Sequence, residues 1–225
     1  MNDLRYLRVH SFFFHLQNHP MTIIHFLLPV FLLFVPGCAT QKLQAVDRMQ
    51  LPKEICLNPY EMELYQALNT YREKHNLPAI TLSKSLTLVA QVHCRDLAIN
   101  QPDKDRNCNM HSWSRKGPWT SCCYTPDHKR SSCMWDKPKE LTSYTGEGYE
   151  IAFFSTVSYS NATAFAEDAM FNWMKSKGHN DVMLNLSIWK SIQWKAVGIG
   201  YFEGYTTIWF GAYDDPDTAI VGACN

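Results

Sequence analysis

The chain is 225 residues long, with 21 Lys+Arg against 21 Asp+Glu, and 46% of it is hydrophobic and 13% aromatic. That mix belongs to a folded chain with room for one domain, and it excludes intrinsic disorder and a long coiled coil. Balanced charge without Lys/Arg runs leaves no electrostatic footprint for nucleic acid.

The chain opens with a targeting signature. Thr22 to Val35 is an apolar run of about 14 residues, shorter than the roughly 20 that span a bilayer, so it reads as a signal-peptide core. Arg5 and Arg8 supply the positive flank, and Met21 offers a second start. Val35-Pro36-Gly37-Cys38-Ala39 resembles a bacterial lipobox, with Pro36 a departure from the usual residue there. Residues 1–37 are therefore expected to be a lipoprotein-type signal peptide. Cys38 becomes the lipidated residue that anchors the chain to a membrane. Ala39 in place of Asp points to the outer membrane; the alternative is an ordinary cleaved signal and a secreted protein. Residues 38–56 are polar and unpatterned and read as a tether, leaving 57–225 as the folded domain.

The first helix begins at Asn58-Pro59-Tyr60-Glu61, which offers an N-cap, Pro at N1 and an acid at N3. Tyr60, Leu64, Leu68, Tyr71 and His75 then recur on one face until Asn76-Leu77-Pro78 stops the helix. Ser83 caps a second helix with Leu86, Val89, Ala90, His93 and Leu97 on one side; His93 there reads as a satisfied core histidine. From Asn107 to about Tyr144 periodicity vanishes and Cys, Trp, Pro and Ser dominate, the mark of a long stapled loop. Trp113, Trp119 and Trp135 are expected to form its small core. A further helix is expected from about Thr163 to Lys177, with Phe165, Ala169, Met170, Trp173 and Met174 inward and Gly178 at C′. Ala196–Phe202 and Tyr205–Phe210 flank Glu203-Gly204 as a terminal hairpin.

Eight cysteines are present. If Cys38 carries lipid, an odd number remains in an oxidising compartment, where disulfides are the default. Three bridges drawn from Cys56, Cys108, Cys122, Cys123, Cys133 and Cys224 are expected, with Cys94, inside the second helix, as the spare thiol. Cys123-x4-His128-x4-Cys133 has half of a zinc-knuckle spacing, but Thr120 stands where another ligand belongs, and disulfides explain these cysteines better.

Nucleotide-binding and standard serine-hydrolase motifs are missing from the chain. His111 and His179 stand out because each lies where the chain leaves regular structure. Asn69-Thr70-Tyr71-Arg72-x-x-His75-Asn76-Leu77-Pro78, the Leu86–Ala98 helix, Cys108-Asn109-Met110-His111-Ser112, Gly148-Tyr149-Glu150-Ile151-Ala152, Trp173-Met174-x-Ser176-x-Gly178-His179-Asn180 and Val197-Gly198-Ile199-Gly200-Tyr201 together carry a family signature. In this order they resemble the CAP superfamily of cysteine-rich secretory, antigen 5 and pathogenesis-related 1 proteins, in its bacterial form, also called SCP-like. The resemblance implies an α+β fold, a three-layer α-β-α sandwich with a central antiparallel sheet and, here, a long disulfide-stapled loop.

In that family two His and two Glu face each other across a cleft and can hold a divalent cation. Carried over by position, they are His111, His179 and Glu150, with Glu147 the alternative, while Ser176 stands in place of the second Glu. A His2Glu set suits zinc with an open position. The resemblance favours a binding module for a lipid, glycan or protein ligand. The alternatives are a metal-dependent hydrolase in which His111, His179 and Glu150 are the catalytic candidates, and a structural envelope protein.

Overall fold

The computed structural model describes residues 48–224; the expected signal segment, Cys38 and the first part of the tether lie outside the described residues. Four strands form the central sheet: β1 (Thr81–Leu82), β2 (Gly148–Phe154), β3 (Ala196–Phe202) and β4 (Tyr205–Gly211), in the order β1-β3-β4-β2. All pairs are antiparallel except the two-residue β1, which runs parallel to β3. The helices are α1 (Pro59–Lys74), α2 (Lys84–Asn100), α3 (Ser132–Trp135), α4 (Lys137–Leu141), α5 (Ala162–Lys175) and α6 (Lys177–Met183).

Side chains alternate across each strand, and the two faces meet different partners. Val197, Ile199, Ile208, Phe210 and Ile151 point to one side, where Leu64 and Leu68 of α1 and Phe165, Ala169 and Trp173 of α5 close over them. Each such side chain removed from water contributes about 1.5–3 kcal/mol. On the other side, α2 lies almost directly on β3. A Cβ at Gly198 would sit 2.0 Å from the Leu86 carbonyl carbon, and one at Gly200 2.3 Å from that of Ala90. Trp209, Leu86, Val89, Trp113, Trp119 and Tyr144 complete this second core. The result is an α-β-α sandwich.

The helix starts follow the sequence. The Asn58 side chain accepts from the Glu61 N–H while the Glu61 carboxylate accepts from the Asn58 N–H, a full capping box. Ser83 accepts from the Leu86 N–H at 3.0 Å. Glu203 and Gly204, at φ +47° and +83°, make the tight hairpin turn that the flanking strands need.

Three expectations are corrected. His75 is exposed, and Arg72 takes the buried place at that end of α1. Arg72 donates from Nε to Pro78 O and from Nη1 to Met183 O and Asn185 Oδ1, so its charge is buried with acceptors around it. The helix from 163 stops at Lys175 because Ser176 is extended, at φ −85° and ψ 112°. Gly178 is thus inside α6 and not a C′ residue, and Met174 is exposed.

The stapled segment contains α3, α4 and a single bridge between Trp113 and Cys122. Trp113 and Trp119 are buried and Trp135 is half-buried, all in the second core. The disulfides are Cys56–Cys224, Cys108–Cys123 and Cys122–Cys133, and Cys94 is a buried free thiol. In the stretch read as a tether, Met49 and Leu51 pack on the second core, and the Met49 N–H donates to Lys116 O at 2.7 Å.

Candidate functional site

The site grows from one polar residue in an otherwise apolar strand. Tyr149, Ile151 and Phe153 of β2 face the α1/α5 layer, so alternation turns Glu150 toward α2, in register with Trp209. His93 occupies the matching apolar face of α2. One helical turn later Asp96, fully buried, accepts from the Ser114 N–H (2.7 Å), the Ser114 hydroxyl (2.6 Å) and Asn100 (2.8 Å). The Ser112 hydroxyl accepts from the Tyr124 N–H at 3.0 Å. These bonds fix the loop that carries His111 over the carboxylate.

Glu150 is then shared by two imidazoles. Its Oε1 lies 2.5 Å from His93 Nδ1 and its Oε2 2.7 Å from His111 Nδ1. His93 Nε2 lies 3.0 Å from Ser112 O. A carbonyl oxygen accepts only, and so does an ionised carboxylate, so His93 carries a proton on both nitrogens. Burial opposes that charge, but the attraction of Glu150 and the hydrogen bonds to Glu150 and Ser112 outweigh it and raise the His93 pKa. Burial likewise pushes the Glu150 carboxyl up, and the charge of His93 with the bonds from both histidines brings it below its ordinary range. The His93 ring stacks on Trp113 at 4.3 Å and 6°, which suits a cation on an aromatic face.

His111 differs from His93 in exposure. Its side chain is 19% exposed. With Nδ1–H given to Glu150, its Nε2 lone pair has no hydrogen-bond partner among the described residues. The Tyr124 ring meets it edge-on at 5.1 Å, and the Tyr124 hydroxyl is hydrogen-bonded with His128 Nδ1 at 2.9 Å. His179 comes from α6, held to α1 by the Tyr71 hydroxyl donating to Asn180 Oδ1 at 2.8 Å. Burial, with added repulsion from His111, pushes the His179 pKa down to about 4. That weak repulsion is the tie between His111 and His179, far apart in sequence; no hydrogen bond joins them among the described residues.

The expected three-ligand set does not form. Both Glu150 oxygens are bonded to imidazoles, of His93 and of His111, so Glu150 orders the two rings. Glu147 accepts from the Tyr149 hydroxyl at 2.9 Å and bonds neither histidine. Among the described residues no group of three or more His, Cys, Asp or Glu could hold a metal ion. At Cys123, His128 and Cys133 the two cysteines belong to different disulfides. His93 is the residue whose role the sequence left half-read: it is a satisfied core histidine, yet its partner is the site carboxylate. The available signal was Glu150 itself, since an acid on the inward face of an apolar strand must find a cation or a donor.

An α-β-α sandwich in which a buried glutamate orders two histidines, one buried and one partly exposed, is the class of protein that fold and site define. The chain belongs to the cysteine-rich secretory protein (CAP) family, whose family model matches residues 65–201. Among solved structures it is similar to an extracellular protein containing an SCP domain from Bacillus anthracis, at 18% identity and a TM-score of 0.44 over 68% of this chain and 40% of that one. It is also similar to a cysteine-rich secretory protein from Staphylococcus aureus, at 15% identity and 0.43, over 68% and 38%. The chain therefore spans about two-fifths of the length of these relatives. No curated protein matches it. Among the described residues no helix is long and apolar enough to cross a membrane.

Proposed function

We propose that this chain is an exported binding module, its ligand engaged at the cleft by His111 and His179. The observation that carries the reading is the commitment of both Glu150 oxygens to imidazoles. Metal-dependent hydrolysis needs a third ligand or a free carboxylate base, and Glu150 supplies neither. What remains is a preorganised Nε2 lone pair on His111 beside a second imidazole held neutral by burial. Such a pair suits a ligand that donates hydrogen bonds, as lipid headgroups, glycans and proteins do, or a single zinc ion held without a protein carboxylate. Three disulfides support an oxidising, extracytoplasmic setting. The lipobox-like Val35–Ala39 supports attachment to the outer membrane through Cys38.

Zinc is the convenient probe. Calorimetric titration of the chain should show zinc binding that a His111→Ala/His179→Ala double variant loses, with no zinc-dependent cleavage of peptides or esters. Equal binding by both proteins would remove the histidines from the site, and zinc-dependent hydrolysis would turn the module into an enzyme.

A further inference from the structure

A cavity lies between the end of α2 and the stapled segment, and neither His111, His179 nor Glu150 lines it. Its volume is about 340 Å³, and its wall includes Arg115, Lys116 and Arg130 with a single acid, Asp105. That is the size range of small-ligand pockets. Both loop disulfides contribute to the wall through Cys108, Cys122 and Cys123, so the cations stand on a covalently braced rim.

Some exposed cations elsewhere have an acid close at hand and others, such as Lys53 and Lys190, stand alone and apart from one another. Lys84 pairs with Asp217, Lys177 with Asp181, Lys139 with Asp136 and Lys195 with Asp214. Arg115, Lys116 and Arg130 have no such partner among the described residues, although all three are exposed. Like charges gathered on one concave wall repel one another, and an anion seated between them relieves that repulsion. Two guanidinium groups present planar forks that match the oxygens of a phosphate two at a time, which an ammonium alone does not. Ser121 on the same wall adds a hydroxyl able to donate to an oxyanion.

We propose that this cavity is a binding site for a phosphate group, separate from the histidine cleft, with Arg115 and Arg130 as its principal ligands and Lys116 as an added positive charge. The phosphate can arrive free or on a lipid headgroup, and the recognition chemistry is the same for both.

The test uses the full chain and three probes: inorganic phosphate, inorganic pyrophosphate, and vesicles of phosphatidylcholine with or without phosphatidic acid. Arg115→Gln/Arg130→Gln removes the forks, and Lys53→Gln/Lys190→Gln removes the same charge from exposed positions elsewhere. Thermal melting checks that both variants fold, as exposed substitutions of this kind leave stability nearly unchanged. The expected result is phosphate or pyrophosphate binding that weakens about tenfold or more in the arginine variant and is kept by the lysine variant, with added salt weakening it further. Arginine-dependent capture by the phosphatidic acid vesicles assigns the lipid source, and phosphate binding without such capture assigns the free anion. Binding of none of the probes, or equal loss in the two variants, overturns the proposal.

Discussion

The two faces of the central sheet are built on opposite terms. Toward α1 and α5 the contact is mainly apolar side chain on apolar side chain, with the buried Glu61 and Arg72 bonded near the ends of α1 and Trp173 donating its one polar hydrogen to Ala152 O at 3.1 Å. Toward α2 the helix backbone rests on two glycines, and the layer beyond it buries His93, Asp96, Glu150 and Lys137. Hydrophobic area holds the first face. The second has an aromatic core of its own and adds to it hydrogen-bonded charge and two short disulfide loops, which brace a segment that has no regular periodicity. The braced face is the one that carries the site.

Substitutions of similar cost should therefore behave differently on the two faces. Trp173→Ala and Glu150→Ala are each expected to lose about 3–5 kcal/mol, the first by leaving a cavity and the second by stranding a buried charge. Denaturant unfolding across a range of pH separates them. The Glu150 carboxyl is held below its ordinary value of 4.5, so the stability it lends is present above that value and is lost as pH falls through the folded pKa. His93 is held above 6.5, so its share is complete below 6.5 and is lost as pH rises through its folded pKa. The cost of Glu150→Ala should peak between these limits and shrink on both sides, while that of Trp173→Ala should stay flat. A flat profile for Glu150→Ala would end the ion-pair description.

Opening the Cys108–Cys123 loop by a double Ser substitution should cost about 3 kcal/mol, the value for a loop of 15 residues. Hydrogen exchange should rise around His111 and remain unchanged in α1 and α5. Gly198→Ala pushes a methyl group into the Leu86 backbone and should cost about 1–3 kcal/mol by overpacking, read as a lower denaturation midpoint. Asn58→Ala removes half of the capping box and should cost about 1 kcal/mol, the smallest effect and one confined to the first face.

The same contrast governed what could be read in advance. Leu64 and Leu68, the Asn58 and Ser83 caps and the Glu203-Gly204 hairpin are local signals, and each appears in the structure where its spacing put it. The family motifs singled out His111, His179 and Glu150, but nothing local says which atom of Glu150 faces which ring. That depends on the strand register, on Asp96 tying down Ser114, and on His93 coming from another helix, none of which is local. Ser176 shows the limit within a single helix: composition through the Lys175–Lys177 stretch permits continuation, and the turn into α6 is decided by packing against α1 and the 180–185 segment. Periodicity placed Met174 and His75 inward, and tertiary context turned both outward.

The Cys56–Cys224 bridge joins residues 168 positions apart, and beside it Leu57 pairs with Ala223. Everything between is therefore a closed covalent ring. A single proteolytic cut inside the ring would leave the two pieces attached.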